Sequence, residues 1–221
     1  MKFEDPSRRA FAAGVTLRLS AVAALLLLGA DGFQIVFIAG QGLVPDQITI
    51  DDIISVLARV YFIATLVIAV IAFTRWEHRI ARNAKQLDSS LSFSPGWAVG
   101  WWFVPLANLV LPNLVMSDLW RTSGRDGSTS PAYLGAWWGC WIGGFLLGDL
   151  AGQVSASATT AAVAELADVV DIVSNLLILV AALLAMRLVG DLTRRQRASI
   201  AQRLETSTSS ESTSLGPGRL K

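Results

Sequence analysis

Residues Ile53 to Thr74, IISVLARVYFIATLVIAVIAFT, form a run of 22 residues with a single charge, Arg59. The hydrocarbon core of a bilayer is about 30 Å thick and a helix rises about 1.5 Å per residue, so about 20 mostly apolar residues suffice to cross it. The run shows no amphipathic period, as expected of a helix surrounded by lipid and other helices. Moving outward, three more runs read the same way: about Val15 to Ala39, Ala132 to Gly152 and Leu166 to Val189. Composition agrees, with 53% hydrophobic and 16% charged residues and a mean hydropathy of +0.52, where soluble domains carry about 25% charged residues. The expected fold class is all-α integral membrane, a four-span helical bundle in one membrane domain over residues 15–203.

A fifth apolar run, Trp97 to Met116, is long enough to cross, but Pro105 and Pro112 each remove a backbone donor and disfavour helix at the residue before. Asn108 and Asn113 sit beside the two breaks. Charge separates the topologies, because Lys and Arg accumulate in cytoplasmic loops. If the run turns back, residues 1–14, 75–96, 117–131 and 190–221 share one side and hold fifteen of the eighteen basic residues, while loops 40–52 and 153–165 hold none. If it crosses, Arg121, Arg125 and the basic C-terminus fall outside. The pattern favours four spans, both termini cytoplasmic, with 97–116 as a Pro-broken re-entrant or interfacial helical element; the alternative is five spans.

At the N-terminus, Arg8 and Arg9 precede the apolar run Ala21 to Leu28, but the run continues through Ile38. That exceeds a signal-peptide core of about 7–15 residues, so residues 1–14 read as a cytoplasmic N-terminus before an uncleaved anchor, with Arg18 snorkelling to the headgroups. At the other end, Asp191 to Arg203 reads as a basic amphipathic segment on the anionic leaflet, and residues 204–221, rich in Ser and Thr, as a disordered tail. No internal repeat of the kind found in secondary transporters is visible.

One cysteine, Cys140, and one histidine, His78, exclude an intrachain disulfide and His-pair metal or haem ligation within one copy. No Gly-x-Ser-x-Gly elbow, His-Glu-x-x-His or phosphate-binding Gly-rich loop occurs. Arg75, Arg79 and Arg82 crowd His78 with like charge, which disfavours its protonated form. No enzyme activity, cofactor or metal is therefore expected. A formal charge of +1 gives no basic surface for nucleic acid, leaving membrane lipids and a protein partner or a second copy as the expected partners.

Three constellations stand out. The first gathers Trp76, Arg79, Asn83, Trp97, Trp101, Trp102, Pro105, Asn108 and Trp120 on the cytoplasmic side. Ser94-Pro95-Gly96 should start a helix, Gly100 should let a neighbour approach, and the tryptophans suit headgroup depth. Arg79, Asn83 and Asn108 form either a polar pocket for a phosphate or carboxylate or a set of partners for the backbone groups freed at the prolines. The second is intramembrane and ionisable: Asp31, Arg59, Asp149, Asp168, Asp171 and Asn175. Such groups are costly in lipid and should face inward and pair, Arg59 with Asp31 first, or else mark an ion or proton path. The third is a pair of glycine stripes, Gly135, Gly139, Gly143 and Gly144, Gly148, Gly152, suited to close helix packing within the bundle or between copies.

The stretch from Trp76-Glu77-His78-Arg79 and Asn83, through Ser94-Pro95-Gly96-Trp97-Ala98-Val99-Gly100-Trp101 and Pro105-Leu106-Ala107-Asn108, to Leu119-Trp120-Arg121 resembles the bacterial domain-of-unknown-function 4328 family. The likeness is tight from Arg75 to Ser123 and extends to the flanking spans by general layout. It implies a small multi-pass protein of a bacterial plasma membrane and no particular reaction. The function expected is therefore that of a non-enzymatic membrane partner, scaffold or sensor subunit using the cytoplasmic Trp/Arg/Asn face; the alternative is a small transporter or an ion- or proton-conducting protein using the Asp/Arg cluster.

Overall fold

The computed structural model describes residues 3–41, 49–124 and 129–214. Expectations that rest on Lys2, on loop residues 42–48, on Arg125 and on tail residues 215–221 lie outside the described residues. Among the described residues six α-helices follow one another: α1 (Ser7–Gln41), α2 (Ile50–Leu87), α3 (Pro95–Gly100), α4 (Leu111–Thr122), α5 (Ala132–Ala156) and α6 (Ala161–Ser214). Two 3-10 turns, Trp101–Phe103 and Ala107–Leu109, lie between α3 and α4. Among the described residues there is no strand.

Three helices, α1, α2 and α6, are long and apolar enough to cross a membrane. α5 has 25 residues, about 37 Å at 1.5 Å per residue, but its six glycines and three tryptophans dilute its hydropathy and it is not among the three. Each helix outruns its expected span. α1 starts at Ser7 rather than Val15 because Asp5 caps it, its Oδ1 accepting from the Ser7 amide at 3.0 Å with Pro6 between them. α2 continues past Thr74 to Leu87.

The chain divides into two compact units. One comprises residues 11–74 and 131–189, and is here called the span unit. Its interior is built largely from alanine: Ala13, Ala23, Ala24, Ala30, Ala69, Ala151, Ala167, Ala181 and Ala185 are buried, with Phe73, Trp137 and Leu188 among the larger side chains. Its exposed side chains include Leu25, Leu26, Val36, Leu57, Val60, Ile63, Leu146 and Leu183. Small residues inside and branched aliphatics outside suit lipid as the surrounding solvent, since lipid offers no penalty for the outer face and small residues let backbones approach.

The other unit, here the polar unit, comprises residues 1–10, 75–130 and 190–221. Trp76, Ile80, Ala84, Ala98, Met116, Leu119 and Leu192 are wholly or almost wholly buried in it. Residues 191–203 differ from the expected surface segment: Leu192, Thr193, Gln196 and Ser199 form one buried stripe at helical spacing, so this part of α6 packs as a bundle helix. The tail also differs. α6 runs on to Ser214 where a disordered stretch from 204 was expected. No Gly or Pro interrupts residues 191–215, and the hydroxyls of Thr206, Ser207, Thr208 and Ser209 donate to carbonyls three or four residues back, so they join the helix instead of competing with it.

Candidate functional site

The polar unit is organised around the last turns of α2. Trp76 Nε1 donates to Thr193 Oγ1 at 2.9 Å. Asn83 is 1% exposed and bonds three ways. Its Nδ2 donates to Gln196 Oε1 at 3.0 Å and to the Glu4 carbonyl at 2.8 Å, and its Oδ1 accepts from the Glu4 amide at 3.3 Å. Gln196 Nε2 in turn donates to the Ile80 carbonyl at 2.9 Å and to Ser123 Oγ at 3.4 Å. Arg79 forms an ion pair with Glu4. One asparagine and one glutamine thus stitch the N-terminal segment, α2, the end of α4 and α6 within this unit. Arg195 lies over the Trp120 ring, 5.0 Å from its centre, and its Nε donates to the Trp120 carbonyl at 3.2 Å.

Asn108 sits on the second 3-10 turn and hydrogen-bonds to neither Arg79 nor Asn83. The backbone resolves the proline breaks by itself. The Asn108 amide donates to the Val104 carbonyl at 3.0 Å, Ala107 to Pro105 at 2.8 Å, Leu109 to Leu106 at 3.2 Å and Val110 to Ala107 at 3.1 Å. Pro112 lies in the first turn of α4, where a missing donor costs nothing, so it starts a helix rather than breaking one. Ser94 caps α3 as the sequence implies, its Oγ accepting from the Trp97 amide at 3.3 Å with Pro95 at the first position. The neighbour that approaches Gly100 is the ring of Trp97, 3.0 Å from where a Cβ would stand, and Trp97 stacks on Trp101 at 4.6 Å.

Sequence reasoning missed Glu77. It is fully buried. Its Oε2 accepts from Trp102 Nε1 at 2.8 Å, while Oε1 is enclosed without a hydrogen-bond partner. Burial pushes its carboxyl well above the usual glutamate range, and the Trp102 hydrogen bond pulls the other way. The signal was its position: residues 77, 80, 81 and 84 form one i, i+3, i+4, i+7 stripe that is 0–1% exposed. Next to it, His78 Nδ1 lies 3.0 Å from the Pro95 carbonyl, which can only accept, so Nδ1 carries the proton.

In the span unit the ionisable residues converge. Arg59 Nη2 lies 2.7 Å from Asp171 Oδ2 and 4.0 Å from Asp31 Oδ1. The pairing is therefore chiefly with Asp171, with Asp31 second. Asn175 Nδ2 donates to Asp31 Oδ2 at 2.8 Å. Asp168 is 5% exposed and its Oδ2 has no partner; the charges of Asp171, Arg59, Asp51 and Glu165 all act on it. Asp51, within the expected loop 40–52, is buried in the first turn of α2 with Oδ1 unpartnered. Asp149 stands apart, exposed and bonded to Gln153 at 2.7 Å. Among the described residues no group of His, Cys, Asp and Glu is arranged to hold a metal ion.

Of the two glycine stripes, contact with α6 is made at adjoining positions. A Cβ on Gly144 would stand 2.7 Å from Ile178 Cδ1 and 3.2 Å from the Ser174 carbonyl oxygen, and one on Gly148 2.9 Å from Ser174 Oγ. Gly143 is in ordinary contact with Leu177, while Gly135, Gly139 and Gly152 meet nothing within 4 Å. Ser174 Oγ donates to the Gly144 carbonyl at 2.8 Å, a bond that needs this close approach.

No curated protein and no solved structure matches the chain. The sequence model described as domain of unknown function DUF4328 matches residues 40–194. That range holds Arg59, Glu77, Asn83, the whole Pro-broken segment, the α5 glycines and Asp171; it leaves out Glu4, Asp31 and Gln196, which complete the two polar clusters. The match covers well over half of the sequence, and the chain belongs to the DUF4328 family.

Proposed function

We propose that the chain is a multi-pass protein of a bacterial plasma membrane that crosses four times, through α1, α2, α5 and α6, and keeps both termini in the cytoplasm. In this reading the polar unit acts without catalysis, as a scaffold, partner or sensor module for a protein or for anionic lipid headgroups. One coincidence carries it: the segments that the distribution of Lys and Arg assigns to one side, around α2's last turns, α4 and residues 190–203, are those that pack into the polar unit. The outward groups suited to recognition are Arg75, Arg82, Trp97 and Arg197, since Trp76 and Asn83 are interior. A non-catalytic role is supported by the engagement of His78 with the Pro95 carbonyl and of Glu77 with Trp102. The test is extraction of the full chain with its native lipids in a polymer nanodisc, followed by mass spectrometry of what stays bound. Arg82→Ala and Trp97→Ala together should lose bound lipid or partner while melting like the parent; full retention overturns the reading.

A second reading, an ion- or proton-conducting protein, is favoured by the convergence of Asp31, Asp168 and Asp171 on one guanidinium. Proteoliposomes should then dissipate an imposed proton or cation gradient, and Asp168→Asn should abolish the flux. Gradients that persist with the parent protein assign these acids to structural pairing.

A further inference from the structure

We infer that the segment from Pro95 to Leu114 is a lipid wedge, seated with Leu106 at its tip in the hydrocarbon of one leaflet. The inference rests on the four-span reading, in which this segment does not cross.

The segment exposes a ridge of large apolar side chains: Trp97, Phe103, Leu106, Leu109, Val110 and Leu114, with Leu106 80% and Phe103 69% exposed. From Ser89 to Ser117 there is no charged residue. Such a ridge in water is an association hazard. Two contacts hold the segment to the last turns of α2. Trp102 is bonded to Glu77 and the Pro95 carbonyl to His78, three and four residues beyond Thr74, about 5 Å along the axis from the end of the apolar run. An uncharged apolar ridge, in a unit that also exposes arginines, identifies the occupant as lipid.

The backbone is suited to that environment. Hydrocarbon offers no partner to a polar group, so every amide placed there must be bonded internally. Among residues 106–110 the amides of Ala107, Asn108, Leu109 and Val110 are bonded within the turn and that of Leu106 is not, while Pro105 has none to satisfy. Leu106 has φ +64° and ψ −43°, and with the Ala107 to Pro105 hydrogen bond it forms a γ-turn of the rarer, strained hand. Among the described residues it is the one non-glycine residue with positive φ. Strain of this kind persists where the surroundings demand the conformation, and its effect here is to turn a leucine outward at the apex. Charge is complementary as well: Arg75 and Arg82 on α2 and Arg121 at the end of α4 are exposed in the same unit, as an anionic headgroup layer requires.

The test uses the full chain with Cys140→Ala in nanodiscs of phosphatidylcholine and phosphatidylglycerol. Spin labels at Leu106→Cys and, as a second position, Val110→Cys report collisions with oxygen, which enriches in lipid, and with a water-soluble nickel chelate. The expected oxygen-to-nickel ratio at both is several-fold higher than at the exposed Ser92→Cys. A ratio like that of Ser92→Cys overturns the wedge, and so does a label shielded from both reagents, which would mean that protein covers the ridge. Labelling of Ser92→Cys and Thr129→Cys from one side or from opposite sides of sealed vesicles separates the two levels. Opposite sides overturn the four-span reading and the wedge with it; the same side with a watery Leu106 overturns the wedge alone.

Discussion

The Trp102 indole donates to one carboxylate oxygen of Glu77 at 2.8 Å while the other oxygen is enclosed and unpartnered. A buried acid with one donor is stable as the neutral species, and Glu77 has three arginines nearby in sequence without pairing with any: Arg79 goes to Glu4, and Arg75 and Arg82 lie exposed. The acid thus fastens the Pro-broken segment to α2 through the Trp102 hydrogen bond.

A pH dependence follows. Glu77 ionises above the usual range when folded and near pH ~4.3 when unfolded, so above that pH the unfolded chain binds fewer protons and stability falls as pH rises. The slope is about 1.4 kcal/mol per pH unit until the folded group titrates. Glu77→Gln, which mimics the neutral acid, should melt at a higher temperature than the parent at pH 8, with the gap closing toward pH 5. Equal melting of the two at pH 8 would show that Glu77 is folded as the anion.

The Asn83 hub should be sensitive to loss of its amide. Asn83→Leu leaves Gln196 Oε1 and both backbone groups of Glu4 without their partner, at about 1–3 kcal/mol for each group left buried and unsatisfied. Hydrogen exchange at the Glu4 amide should speed up well before that of the Ile80 turn, because residues 3–6 are tied to α2 through this side chain. Unchanged exchange at Glu4 would contradict the hub.

Arg59 discriminates between its two acids by distance, 2.7 Å to Asp171 and 4.0 Å to Asp31. Double-mutant cycles of Arg59→Gln with Asp171→Asn and with Asp31→Asn, read as melting in detergent, should give the larger coupling for Asp171. Couplings of about 0.5–3 kcal/mol are expected for groups in contact. A larger coupling to Asp31 would restore the pairing that the sequence alone implied.

Gly144→Val should destabilise the packing of α5 on α6, because the added carbons meet Ile178 and the Ser174 carbonyl; overpacking of this kind costs about 1–3 kcal/mol. Gly139→Val, which meets nothing within 4 Å, should be near neutral in the monomer. If Gly139→Val is the more damaging, that stripe is covered by a neighbour.

The sequence by itself determined the helical class, the apolar runs that become α1, α2 and α6, the start of α3 at Ser94 and Pro95, and the family. These depend on composition, period and local backbone chemistry, which are properties of a short window. It also pointed to Asp31, Arg59, Asp149, Asp168, Asp171 and Asn175 as candidates for one group, since charge in an apolar run must find company, and Asp149 stands apart from the others. Only the tertiary structure decided the partners. Arg59 reaches Asp171 before Asp31, Glu4 takes Arg79, and Gln196 takes Asn83, because each of these pairs joins residues 75 to 113 positions apart whose proximity is set by helix packing and not by spacing. The same reason explains Glu77, which is enclosed by packing against the Pro-broken segment, and residues 191–203, whose basic character concealed a buried stripe. Local chemistry fixes where a helix starts; which of its faces is dry depends on what the rest of the chain places beside it.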